Sequence, residues 1–291
     1  MRDLKQITVI GMGLLGGSIT LGVLRSFARV RTVGYSHRAA TRKKARRMAV
    51  ASEIADELKT SVSGADIVIL ATPICTFEEI FGQIGDALAR GCIVTDVGST
   101  KVLPHRWAAK RLPKTVRYVG SHPIAGSEQR GVEFARDDLF EGALCVLTRT
   151  KKTNRQAAAT LKRFWSKLGC WVKLMSPTEH DRVFASVSHL PHVVAAALIN
   201  ANSIEALKFA GKGFMDTSRI ASGPANIWAD VLLTNSDNTI RGIDKVRAEL
   251  GKLKKAIKAG DAREVERLLR KARSKRSALL EYKIKSKELI S

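Results

Sequence analysis

Five short segments carry residue types and spacings that can do chemistry. The first, Gly11-Met12-Gly13-Leu14-Leu15-Gly16-Gly17-Ser18, follows the apolar run Ile7-Thr8-Val9-Ile10 and spells GxGxxG. A tight turn at Gly11, close backbone approach at Gly13 and close helix-to-strand packing at Gly16 suit a dinucleotide pyrophosphate. Leu14 and Leu15 open the helix whose N-terminus would face that anion. The other four segments are Asp96-Val97-Gly98-Ser99-Thr100-Lys101, Ser121-His122-Pro123-Ile124-Ala125-Gly126-Ser127-Glu128, Ser188-His189-Leu190-Pro191-His192, and Thr217-Ser218-Arg219-Ile220-Ala221 with Pro224 and Trp228 beyond it. His122 stands at a strand end in a glycine-rich turn, and an imidazole with a reference pKa near 6.5 suits proton acceptance near neutrality. His180, His189 and His192 do not form HExxH, so no metal site is expected.

The end of the second strand selects the dinucleotide. An NAD site usually carries an acid there for the ribose 2′-hydroxyl, whereas this chain reads Gly34-Tyr35-Ser36-His37-Arg38, then Thr41, Arg42 and Lys43. A hydroxyl followed by a guanidinium suits a 2′-phosphate, so NADP is read in preference to NAD. The same cluster also fits a solvated basic edge. The cofactor set is therefore Gly11, Gly13, Leu14, Leu15, Gly16, Ser36, His37, Arg38 and Thr41, with Thr72 and Pro73 past the strand that ends at Ala71.

These residues need a scaffold. Short β-branched runs alternate with helical segments through the first half of the chain, the sign of a parallel sheet built from crossover units. Strands are expected at Ile7 to Gly11, Arg31 to Tyr35, Asp66 to Ala71, Cys92 to Val97, Tyr118 to Ser121, Leu144 to Thr148 and Trp171 to Leu174. Ser176-Pro177-Thr178-Glu179 then starts a helix, and strand signals cease. Helices are expected over Glu179 to Lys208, Ala225 to Thr234, Asn238 to Ala259 and Asp261 to Lys287, with a kink at Pro191 and a stop at Gly260. The expected domains are 1–176, binding the dinucleotide, and 177–291, all helical.

Composition bounds the class. The chain has 291 residues, 45% hydrophobic and 26% charged, which suits two globular domains and excludes low-complexity and disordered classes. The longest apolar candidate, around Val193 to Ile199, is shorter than the roughly 18 residues of a membrane helix, so no span is expected. The N-terminal residues show no secretory pattern, and Cys75, Cys92, Cys145 and Cys170 lie far apart without CxxC, as expected of reduced thiols in the cytoplasm. The net charge of +23 is unusual. From Arg25 to Arg47 there are nine Lys or Arg and no acid, and from Gly251 to Ser291 there are 14 basic and 5 acidic residues. With 5% aromatics and no recognised binding motif, nucleic acid is a weaker reading of this charge than solvated helix faces.

Taken together, the five segments resemble the prephenate/arogenate dehydrogenase family in order and spacing, from about Ile7 to Asn235. The resemblance implies an α/β, Rossmann-type dinucleotide-binding domain followed by an all-helical dimerisation domain. It implies oxidative decarboxylation of prephenate or arogenate to 4-hydroxyphenylpyruvate or tyrosine, as a homodimer. By the same resemblance, His122 contacts the 4-hydroxyl as base, Ser99 makes a second hydrogen bond there, and Lys101 orders the Ser99 loop. Arg219 clamps a substrate carboxylate, with Asp216 and Glu128 resembling its acidic neighbours. His189 resembles a residue near the substrate side chain and nicotinamide, whereas His192 reads as a helix-face residue. Another NADP-dependent dehydrogenase, of the β-hydroxyacid or imine-reducing type, would use the glycine fingerprint but leave His122, His189 and Arg219 without a purpose.

Overall fold

The computed structural model describes residues 4–126 and 129–285. Its contacts divide the chain into a unit ending at Ser236 and a second beginning at Asp237.

The first unit is built on β1 (Gln6–Ile10), α1 (Leu14–Ser26), β2 (Arg31–Tyr35), α2 (Ala39–Arg47), β3 (Glu53–Ile54), α3 (Leu58–Val62), β4 (Ile67–Leu70), α4 (Phe77–Ile84), β5 (Ile93–Asp96), α5 (Val102–Arg111) and β6 (Arg117–Tyr118). Strands β1, β4 and β5 are buried along their whole length; β4 accordingly reads as the unbroken apolar run Ile67-Val68-Ile69-Leu70, while β1 and β5 also bury polar residues, Gln6 and Thr8 in one and Thr95 and Asp96 in the other. They lie in a six-stranded parallel sheet of order β3-β2-β1-β4-β5-β6. The order reverses between β1 and β4, and the crevice beyond the strand ends at such a point is where open α/β sheets bind ligands.

The expected strand from Tyr118 to Ser121 is two strands. The chain leaves the parallel sheet at Val119 and starts β7 (Gly120–Pro123), which joins β8 (Leu144–Thr148) and β9 (Trp171–Met175) in a second sheet. The pair β7 and β8 is antiparallel, and α6 (Arg155–Lys167) precedes β9. Only Val119 separates the two short strands, so the local pattern could not show the switch. Thr95 Oγ1 and Ser121 Oγ, 2.6 Å apart, fix β7 beside β5, and the Trp165 indole donates to the same serine.

After Ser176, whose side chain accepts the Glu179 N–H as an N-cap, come α7 (Pro177–Phe184) and α8 (Leu190–Asn200). The expected single segment from Glu179 to Lys208 with a kink is instead two helices joined by a π turn over Ala185–His189, ending at Asn200, with a separate short helix capped by Ser203 beyond. Pro191 occupies the first turn of α8, where its missing N–H costs little, and the wider π turn absorbs the strain that a proline places on the preceding turn. Because the run is continuous, Pro177–Asn200 spans 24 residues at a mean hydropathy of 1.4, long and apolar enough to cross a membrane, contrary to the sequence expectation. It nevertheless carries His180, Asp181, His189 and His192, all buried in the protein. Short helices α9 (Ile204–Leu207) and α10 (Lys212–Ser218) and then α11 (Ala225–Thr234) complete the unit.

The second unit is a hairpin of α12 (Ser236–Lys258) and α13 (Ala262–Lys285). Gly260 turns the chain at φ +65°, and Asp261 accepts the Glu264 N–H as the N-cap of α13.

Candidate active site

A cavity of about 1500 Å³ opens beyond the carboxyl ends of β1, β2 and β4. Gly11, Gly13, Leu14 and Leu15 line it from the glycine loop, Ser36, His37, Arg38 and Thr41 from beyond β2, and Thr72 and Pro73 from beyond β4. Gly16 has the packing role: a Cβ there would overlap the Gly11 carbonyl oxygen. Gly11 has φ +105°, and a Cβ would approach the Ala71 carbonyl oxygen to 2.5 Å. Nothing stands within 4 Å of a Cβ built on Gly13, the N-cap of α1, and no side chain caps that helix. Open space over uncapped helix N–H groups fits a bound pyrophosphate.

The basic cluster around α2 divides in two. Arg42 and Arg46 share Asp56, Lys44 pairs with Glu133, Arg31 with Glu53, and Arg25 with Asp137 and Glu141. Arg42 also donates to the Ser36 carbonyl at 2.7 Å, fixing the turn after β2. Among the described residues, Arg38, Lys43 and Arg47 form no ion pair, and all three line the cavity. Arg25, Arg31, Arg42 and Arg46 are thus neutralised away from the cavity and the Lys44–Glu133 pair within its wall, while Arg38, Lys43 and Arg47 leave positive charge facing the cavity.

His122 lies near the end of β7, 9% exposed. Its Nδ1 is 2.9 Å from His180 Nε2, and His180 Nδ1 is 2.8 Å from Asp181 Oδ1. The Asp181 carboxylate also accepts the backbone N–H groups of Lys101 and Val102. A carboxylate in this position fixes the tautomers: His180 donates from Nδ1 and accepts at Nε2, so His122 donates from Nδ1 and keeps a free lone pair on Nε2. Burial, with the neighbouring His180 and Lys101, pushes the His122 pKa well below its ordinary value, and burial takes His180 to about 2. Both are neutral at physiological pH.

The loop between β5 and α5 is ordered from within. Lys101 is fully buried, its ammonium 2.6 Å from Asp96 Oδ1 and donating also to the carbonyls of Gly98 and Thr100. The Tyr118 hydroxyl donates to the other Asp96 oxygen. Ser99, half-buried, is thus held on a loop pinned to β5 at one end and to Asp181 at the other.

His189 is wholly enclosed. Asn235 Nδ2 lies 3.2 Å from its Nδ1 and donates to the Asp181 carbonyl, while its buried Nε2 sits by the Ser99 backbone without a well-formed hydrogen bond. His192 is not a solvent-facing helix residue. It stacks on Trp228 with ring centroids 3.7 Å apart and an angle of 11° between planes, because α11 brings Trp228 against α8. The 3-10 turn Arg219–Ser222 packs on the same histidine through Gly223, and Arg219 stands exposed at its start, beyond Asp216 on α10. Glu128 lies outside the described residues.

Sequence reasoning did not find His180, Asp181, Asn235 or the site role of Trp228's face. The His122 to His180 contact joins positions 58 apart, and only the buried character of two adjacent polar residues after a helix start could have hinted at it.

Sheet order, glycine cradle and polar cluster together define a nucleotide-dependent oxidoreductase of the Rossmann type. Residues 20–174 match the family described as prephenate dehydrogenase, nucleotide-binding domain, and residues 176–271 match prephenate dehydrogenase, dimerization domain. The chain belongs to the prephenate dehydrogenase family. It is 34% identical over 287 residues to the prephenate dehydrogenase of Bacillus subtilis, covering 96% of this chain and 77% of that one. A crystal structure of prephenate dehydrogenase from A. aeolicus with hydroxyphenyl propionate and NAD+ superposes with a TM-score of 0.88 at 33% identity, covering 95% of this chain and 98% of the other. Synechocystis arogenate dehydrogenase gives 0.81 at 30% identity, covering 94% and 99%. The β-hydroxyacid alternative is not favoured.

Proposed function

We propose that this chain oxidises and decarboxylates prephenate or arogenate to 4-hydroxyphenylpyruvate or tyrosine, in tyrosine biosynthesis, with NADP as acceptor. The observation that carries the proposal is the buried chain from Asp181 through His180 to His122, which leaves one imidazole lone pair free in the same unit as the glycine cradle. In the reaction the ring carbon bearing the 4-hydroxyl gives up a hydride, the hydroxyl its proton, and the ring carboxylate departs as carbon dioxide. When bound, the nicotinamide dinucleotide supplies the hydride acceptor. His122 Nε2 takes the hydroxyl proton as the hydride leaves and returns it to the same oxygen as decarboxylation converts the ring to a phenol. That hydroxyl becomes strongly acidic as its carbon is oxidised, so a neutral imidazole of low basicity suffices. Ser99 makes the second hydrogen bond to the hydroxyl, and Arg219 holds a substrate carboxylate in its guanidinium fork. His189, inside the cluster, supports the Ser99 loop next to the nicotinamide.

The set Gly11, Gly13, Leu14, Leu15, Thr72 and Pro73 would hold the pyrophosphate and its flanks, with Gly16 letting the helix pack close behind them, and Ser36, His37, Arg38 and Thr41 the ribose. The unpaired charges of Arg38, Lys43 and Arg47 support the 2′-phosphate. We assign 1–176 to cofactor binding and 177–291 to substrate closure and a homodimer, with the apolar face of Pro177–Asn200 against the partner subunit rather than lipid. Four free cysteines, three of them buried, support a reducing, cytoplasmic setting. The test is a two-by-two assay of prephenate and arogenate against NAD+ and NADP+. Turnover with NADP+ on either substrate is expected, and no turnover in any combination would overturn the proposal.

A further inference from the structure

A second cavity, of about 600 Å³, lies by the amino ends of β1 and β5, at the opposite edge of the sheet from the glycine loop. Its volume is within the roughly 300–1,000 Å³ range of small-molecule sites. Five cations from four separate segments line it: Lys5 before β1, Arg29 between α1 and β2, Arg117 on β6, and Arg163 and Lys167 on α6. Among the described residues, none of the five pairs with a carboxylate, although ion pairs are common elsewhere on this surface. The acid in the cavity wall, Asp66, already accepts the backbone N–H groups of Lys5 and Gln6. The floor is apolar, with Phe27 and Phe164 in a tilted pair 5.8 Å apart and the Lys167 ammonium 4.4 Å from the Phe27 ring centre.

Five like charges around one concavity repel one another, and the arrangement is stabilised by an anion that brings several negative charges into it. Arginine forks favour phosphate oxygens, and the exposed part of the half-buried Phe27 ring, backed by the buried Phe164, offers a surface to a flat apolar group. We propose that this cavity binds a small polyphosphate anion carrying a ring, of the nucleoside diphosphate class, at a site separate from the dinucleotide cavity. The proposal does not depend on the reaction assigned above.

The experiment is calorimetric titration of ADP into the protein already saturated with NADP+, so that the adenosine end of the first cavity is filled. One ADP per chain is expected. Pyrophosphate should bind at least about tenfold more weakly, for want of the ring. Arg117→Glu with Arg163→Glu should weaken ADP by at least about tenfold and leave NADP+ affinity intact. A charge-matched control on α12, Lys254→Glu with Lys258→Glu, should leave ADP unchanged. Should the reversed pair fail to fold, Arg117→Gln with Arg163→Gln removes the charge more gently and is expected to weaken ADP in the same direction. No binding of ADP, equal loss in the site and control variants, undiminished binding in the site variant, or tighter binding of a single-stranded oligonucleotide than of ADP would overturn the proposal.

Discussion

Arg38 and Arg219 are both exposed arginines, yet they are assigned to different anions because of what surrounds them. Arg38 is the N-cap residue of α2 and faces the cavity with Lys43 and Arg47, while its neighbours Arg42 and Arg46 are spent on Asp56. Arg38→Ala should therefore lose roughly 10- to 150-fold in NADP+ affinity and little in NAD+ affinity, measured by titration of each cofactor. Equal losses would return the cluster to a solvated edge. Arg219 lies on the turn that packs against the His192 and Trp228 stack. A lysine there keeps the charge and loses the two-pronged geometry. Steady-state kinetics should show a raised substrate KM for Arg219→Lys, a larger rise for Arg219→Ala, and unchanged cofactor binding in both. An unaltered KM in both variants would remove Arg219 from the substrate site.

At the level of elements, local signals were legible and long-range ones were not. The glycine fingerprint, β2, β8, α11 and the Ser176 cap follow from neighbouring residues, and the expected bounds agree closely with the structure. Strand β3 is only Glu53–Ile54, too short to leave a periodic pattern, and it exists because it pairs with Val33 and Gly34. Whether Val119 continues a sheet or changes it depends on partners, and so does the relay behind His122. The buried histidines give this part of the fold a pH signature. Burial takes His105 and His189 to about 4 and lowers His122 and His180 as well. In the unfolded chain these groups titrate near 6.5, so as pH falls the unfolded state takes up protons first. Their contribution is complete above that pH and is lost below it, at about 1.4 kcal/mol per pH unit for each histidine. The urea midpoint should fall between pH 7.5 and 5.5, and an unchanged or higher midpoint at pH 5.5 would mean that these rings are not held neutral in the fold.

Across the whole molecule, exposed apolar surface gathers on the helices. Phe209 is 89% exposed and Leu233 72%, with Val187, Ile204 and Met215 also open. A lone chain rarely leaves so many large apolar side chains in water, and a symmetric partner is the simplest cover. Light scattering at micromolar concentration should give twice the mass of the chain, and a monomer would contradict the dimer. The basic excess is partly spent on i,i+3 and i,i+4 pairs along α12 and α13, as in Arg267 with Glu264 and Arg270 with Glu266. Such pairs stabilise exposed helices by a few tenths of a kcal/mol and leave a solvated face.

The proposed reaction depends on one lone pair. His122 is held by His180 and Asp181 in the tautomer that leaves the Nε2 lone pair free for the proposed base, and burial, which lowers its pKa, favours the unprotonated ring. His122→Asn preserves a polar group of similar size and removes that base. The direct measurement is turnover of prephenate, and of arogenate, with NADP+ by wild type and His122→Asn near pH 7.5, alongside NADP+ affinity. The expected result is a loss of about two to four orders of magnitude in turnover with cofactor affinity unchanged. Turnover within a few-fold of wild type would contradict it.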